Sequence, residues 1–264
     1  MYPQRIVCLT EETTETLYLL GEQDRIVGIS GFTVRPPRAR KEKPKVSAFT
    51  SANIDAILDL RPDLVLGFSD LQADIASALI RHGIAVYIFN QRSVAQILSM
   101  IAQLGGIVGA RQKALDLIAE LQRNIAEARE ESTHFARRPR VFFEEWHDPL
   151  ISGIGWVSEL IGIAGGDDIF TELAREPGAK QRIIADAAEV VVRAPDIVIG
   201  SWCGRKFKAD IVRARAGWSA VPAVQHDQLF EVKSPLILQP GPAALSDGLA
   251  ALRAIIRQWV AAHT

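Results

Sequence analysis

Short apolar runs alternate with amphipathic stretches along most of the chain. Arg5-Ile6-Val7-Cys8-Leu9 predicts a buried strand, and the helical pattern that follows, from Glu12 to Leu20, stops at Gly21. The run from Ile26 to Ile29 predicts a second strand, residues 54–60 a helix, and the run from Leu64 to Phe68 a third strand. Residues 73–82 predict a helix closed by Gly83, and Ala85 to Phe89 a fourth strand. Strands that are apolar throughout are buried on both faces, so the pattern predicts an α/β fold with parallel sheets covered by helices.

Residues 93–132 then read as helical, with Gly105 and Gly106 as the expected point of interruption. From Ala110 to Glu131 there is no proline or glycine, and Leu115, Ile118, Leu121 and Ile125 recur at helical spacing beside a charged face. A helix of about 20 residues spans roughly 30 Å. After Pro139 the plan restarts. Arg140-Val141-Phe142-Phe143 answers Arg5-Ile6-Val7-Cys8, and Ala194-Pro195-Asp196-Ile197-Val198-Ile199-Gly200 answers Arg61-Pro62-Asp63-Leu64-Val65-Leu66-Gly67. In both copies proline ends a helix, aspartate fills the turn and a buried strand follows. The repeat predicts an N-terminal lobe over 1–105, a linking helix over 106–138 and a C-terminal lobe over 139–264.

Ligands of open α/β sheets sit beyond the carboxyl ends of the strands. Phe32, Phe49, Phe68, Trp146, Trp156 and Trp202 all fall near predicted strand ends or loops, which suggests a large, flat, partly apolar ligand. After the first strand, Thr10 or Thr13 is expected to cap the helix, with the following acids at its positive end.

Charge narrows the partners. The 30 basic and 31 acidic side chains leave a formal net charge of −1, so no global field draws the chain to nucleic acid or anionic lipid. The basic run from Arg35 to Lys45 is broken by prolines and reads as a solvated loop. Cys8 and Cys203 lie far apart and read as two buried free thiols. No run reaches the 18 or so apolar residues of a membrane span. The N-terminus shows no secretory signal pattern, so a cytoplasmic protein is expected if Met1 is the native start.

Catalytic motifs are lacking: there is no G-x-S-x-G elbow, P-loop or H-E-x-x-H. Glu144 and Glu145 are neighbours and point to opposite faces of a strand, which argues against a paired acid and base. No cluster has the three or four ligands of a zinc site. The expectation is a binding protein with no catalytic residues, no metal and no intrinsic cofactor.

Arg5-Ile6-Val7, Thr14-Glu15-Thr16-Leu17, Leu20-Gly21 and Ile26-Val27-Gly28 resemble the opening of the type III periplasmic binding proteins. So do Pro36-Pro37, Lys45-Val46-Ser47, Asn53-Ile54-Asp55-Ala56-Ile57 and Arg61-Pro62-Asp63-Leu64-Val65. These are the cobalamin- and siderophore-binding components of ABC importers, and the cobalamin binders are the most similar subfamily. The resemblance implies two Rossmann-like lobes with parallel sheets joined by a single long backbone helix. It also implies a monomer outside the cytoplasm, holding a corrinoid between aromatic side chains. On that basis Phe32, Phe49, Phe68, Glu145, Trp146 and Trp202 are expected to bind ligand. Asp55 and Glu189 are expected to dock the permease, with Ala188 at the position that matches the family's second acid. Haem or a ferric siderophore on the same fold is the alternative, as is a cytoplasmic enzyme or salvage protein that reuses it.

Overall fold

The computed structural model describes residues 2–263. In chain order the first elements are β1 (Ile6–Cys8), α1 (Glu11–Leu19), β2 (Ile26–Ser30), α2 (Ala39–Glu42), β3 (Lys45–Ser47), α3 (Ile54–Asp59), β4 (Leu64–Phe68), α4 (Ala73–Arg81) and β5 (Val86–Phe89). Then come α5 (Val94–Ile107), α6 (Arg111–Thr133), β6 (Arg140–His147), β7 (Leu150–Ser152), α7 (Gly155–Ile163), β8 (Asp167–Asp168) and α8 (Thr171–Ala174). The last are α9 (Ala188–Arg193), β9 (Ile197–Gly200), α10 (Ala209–Arg213), α11 (Pro222–Gln225), β10 (Leu229–Glu231), α12 (Ser234–Ile237) and α13 (Leu249–Ala261).

The chain divides into two compact units. One holds everything up to Gln91 together with Ala95–Glu120, and the other holds Arg92–Val94 with everything from Leu121 onward. The first unit has a five-stranded sheet in the order β3-β2-β1-β4-β5, every pair parallel. The second has the order β10-β9-β6-β7, with β8 also paired to β6. Its β10-β9-β6 pairs are parallel, but β7 returns antiparallel to β6 through the turn after His147, so the predicted all-parallel sheet is mixed here.

The apolar pattern explains both cores. Val7, Leu9, Ile57, Val65, Ile75 and Leu79 pack in the first unit. Phe142, Phe170, Val198, Trp202, Phe207 and Trp218 anchor the second. Phe142 meets Phe170 and Trp218 edge-on at centroid distances of 5.6 and 6.0 Å, geometry that contributes about 1 kcal/mol per pair beyond area burial.

The repeated x-Pro-Asp unit is the same device twice. The Asp63 carboxylate accepts the backbone N–H groups of Gln4 and Arg5, and that of Asp196 accepts the N–H of Arg140. Each aspartate thereby fixes the start of the neighbouring parallel strand, β1 beside β4 and β6 beside β9. Arg61 and Ala194, just before the prolines, both adopt left-handed backbone, with φ of 46° and 45°. Proline disfavours αR in the residue before it, which is why both helices end here.

The long helical stretch is interrupted, but not at Gly105 and Gly106. Those residues continue α5, and the break comes at Gly109, whose φ of 74° favours glycine. A Cβ on Gly105 would lie 2.3 Å from the Cβ of Ala114, so glycine there lets α5 and α6 touch. The division between the units falls inside α6.

Candidate functional site

In the first unit, the strand carboxyl ends carry Thr10 after β1, Phe32 after β2, Phe49 after β3 and Phe68 at the end of β4. Phe32 is 56% exposed, an unusual state for a large apolar ring. Phe49 is half-buried and Phe68 is buried. Gln72 ties the latter two loops together: it accepts the N–H of Phe68 at 2.9 Å and donates to the carbonyl of Phe49 at 2.8 Å. Asp55 is exposed in the first turn of α3, which Asn53 caps by accepting the N–H of Ala56.

The segment from Thr10 to Thr16 departs from expectation. It is buried throughout, including Glu11, Glu12 and Glu15. Thr10 does not cap the helix with its side chain; its hydroxyl donates to Glu12 at 2.6 Å. Burial pushes Glu11 up to about 8 and Glu12 up to about 7, and mutual repulsion among the three glutamates adds to both. The basic run is not a free loop either. Arg35 donates to Glu15 at 2.7 Å, Arg38 lies over the Tyr18 ring, and the Tyr18 hydroxyl donates to Glu42 at 2.7 Å. It folds down on α1 because the acids of that helix attract it.

In the second unit, β6 ends in Glu144-Glu145-Trp146-His147. The two acids face different partners, as strand alternation requires. Glu144 is fully buried and accepts both guanidinium nitrogens of Arg215 at 2.7 Å, plus the indole N–H of Trp202 at 2.9 Å. Glu145 receives Arg182 at 2.6 and 2.9 Å, and Arg182 also donates to the Ser152 carbonyl. These pairs brace a row of rings. Trp146 stacks on His147, His147 lies 4.3 Å from Trp202, and Trp202 meets Phe207 edge-on. Arg205 lies over the Trp146 ring at 5.4 Å. Trp202 is only 3% exposed, whereas Trp146 is half-buried.

Two expectations change here, at Trp156 and Cys203. Trp156 lies within α7, buried, with its N–H on the carbonyl of Ile237, so it is a core residue. Cys203 is exposed rather than buried; Cys8 is buried, which raises its thiol to about 12. Glu189 is exposed on α9 and pairs with Arg193 at 3.5 Å. Sequence reasoning also missed a cavity of about 450 Å³ in the second unit, lined by residues that include Arg92, Ser158, Glu159 and Arg175. Among the described residues, no group of three or more His, Cys, Asp and Glu side chains is arranged to hold a metal.

Known proteins share this architecture. The chain is 28% identical over 249 residues to the uncharacterized ABC transporter substrate-binding lipoprotein YvrC of Bacillus subtilis, covering 91% of this chain and 76% of that one. It is 26% identical over 245 residues to the vitamin B12-binding protein of Yersinia pestis, covering 89% and 82%. The periplasmic heme-binding protein RhuT of Roseiflexus superposes with a TM-score of 0.80 at 22% identity, over 96% of this chain and 99% of that one. The sequence pattern of one family, described as periplasmic binding protein, matches residues 6–236. With nearly nine-tenths of its length matched, the chain belongs to the periplasmic binding protein family.

Proposed function

We propose that this solute-binding protein serves an ABC importer outside the cytoplasm and that its solute is a corrinoid. The observation that carries the reading is the exposed Phe32 ring at the carboxyl end of β2, where open α/β sheets bind ligands. Aromatic rings offer a flat, apolar macrocycle dispersion and stacking contacts. In this reading the first unit offers the Phe32 and Phe49 rings to solute, with Phe68 packed behind them, and the second unit by itself offers Trp146, with Trp202 behind it. Glu145, held by Arg182, sets the position of the Trp146 strand end. The vitamin B12-binding relative supports the same solute class. Asp55 and Glu189 are the acids assigned to the permease.

Haem is the second reading. His147 favours it, because it stands at the end of β6 and its Nε2 is buried with no hydrogen-bond partner. Tyrosine ligation is less favoured, since the hydroxyls of Tyr18 and Tyr87 already donate to Glu42 and Gln103. Calorimetric titration with cyanocobalamin and with haemin separates the two. The corrinoid reading expects saturable heat with cyanocobalamin. Heat with haemin alone overturns it in favour of haem, and heat with neither overturns both.

A further inference from the structure

Three buried polar atoms without partners lie at one edge of the first unit's sheet. They are Glu11 Oε2, Thr33 Oγ1 and Ser47 Oγ. Glu11 follows β1, Thr33 follows β2 and Ser47 ends β3, and these three strands are consecutive neighbours. Buried polar atoms are almost always hydrogen-bonded, so three orphans at one sheet edge call for partners from outside the chain, water or a ligand. Arg40 links two of them: it donates to the carbonyls of Gly31 and Thr33 at 2.7 and 3.1 Å, and its charge acts on Glu11. Glu11 is 9% exposed and Thr33 fully buried.

We propose that Glu11 is a specificity-determining residue that reads a neutral carboxamide on the bound solute, with Thr33 and Ser47 as further hydrogen-bonding positions. The proposal rests on the corrinoid reading and deepens it. A protonated carboxyl pairs with a primary amide through two hydrogen bonds: its O–H donates to the amide carbonyl, and its own carbonyl accepts the amide N–H. Burial supports that protonation state at neutral pH, because it pushes Glu11 up to about 8. The charged and titratable groups around it are Glu12 and Glu15 on α1, Cys8 on β1, Arg40 on α2, Arg35 beside Glu15, and Lys43 near Cys8. A carboxylate on the solute can accept the Glu11 O–H but has no N–H to donate to the Glu11 carbonyl, whereas a primary amide supplies both. The edge therefore selects amide-bearing macrocycles over carboxylate-bearing ones.

The test uses two corrins that differ in this chemistry. Dicyanocobinamide carries peripheral amides, and cobyrinic acid carries carboxylates in their place. Calorimetry at pH 6.5 is expected to show cobinamide binding at least about tenfold tighter. Glu11→Ala is expected to lose about tenfold in cobinamide affinity and to narrow that preference. Cobinamide affinity of the wild-type protein is expected to fall between pH 7 and pH 9, while Glu11→Gln, which keeps a donor and an acceptor, holds it constant. Far-UV circular dichroism checks the fold, and if Glu11→Ala does not fold, the Glu11→Gln pH profile decides. Unchanged preference in Glu11→Ala, or a wild-type affinity flat across that pH range, overturns this inference alone. Failure of the wild-type protein to bind either corrin overturns the corrinoid reading and this inference with it.

Discussion

The carboxylate of Asp196 accepts the backbone N–H of Arg140 at 2.9 Å, and it also receives the Arg140 side chain at 3.2 Å. Asp196 is buried, so alanine there leaves a strand-initiating N–H without its partner. Asp196→Ala is expected to cost about 1–3 kcal/mol. Asp63, its counterpart in the first unit, is exposed, and water replaces part of what Asp63→Ala removes. Urea unfolding of both variants checks the order; equal losses would contradict it.

Gly200 ends β9, and a Cβ on it would lie 1.9 Å from Cδ2 of Phe207. A ring held edge-on against Trp202 has little room to retreat. Gly200→Ala is expected to destabilise by about 1–3 kcal/mol through overpacking and to alter the near-UV circular dichroism of the tryptophans. A variant with wild-type stability and spectrum would show that Phe207 repacks freely.

Stability should fall as pH rises from 5 to 9. Glu11 and Glu12 are raised to about 8 and about 7, against an ordinary value of 4.5. Between 4.5 and those values the folded chain holds protons that the unfolded chain has released, so alkali favours unfolding. The contribution is on the order of several kcal/mol. Thermal midpoints measured from pH 5 to pH 9 should decline, and Glu12→Gln should flatten the part of the curve below about pH 7. A midpoint that climbs over this range would refute the burial argument.

Removing the Glu144 charge should disturb both of its partners. Glu144→Gln leaves Arg215 without its carboxylate in a site where Glu144 itself is fully buried. Breaking a buried pair from one side costs about 3–5 kcal/mol, and the partial exposure of Arg215 argues for the lower end. Denaturant unfolding measures the loss, and the emission of Trp202, whose indole N–H donates to Glu144, should shift with it.

Much of this architecture was legible in the sequence because buried parallel strands are apolar without interruption. The Pro-Asp unit stands in the sequence twice, and the structure gives both copies one hydrogen-bonding role. What escaped depends on tertiary context. Glu11, Glu12 and Glu15 follow the rules for a solvated first helical turn, yet neighbouring elements cover them. Arg35 and Arg38 read as solvated because nothing local names Glu15 and Tyr18, some 20 residues earlier, as their partners. The pairing of Glu145 with Arg182 spans 37 residues and leaves no periodic trace.

The outer strands have a colloidal consequence. β3, β7 and β10 are three residues each, and β5 is four. β3 opens on exposed Lys45, β10 closes on exposed Glu231, and Ile151 of β7 is bridged by Ile183. Strands this short, two of them carrying a charge at one end, give another chain little to pair with, so they guard against fibril-like growth. For a chain that leaves an apolar ring such as Phe32 exposed, sheet borders without a long pairing edge remove a second route to self-association.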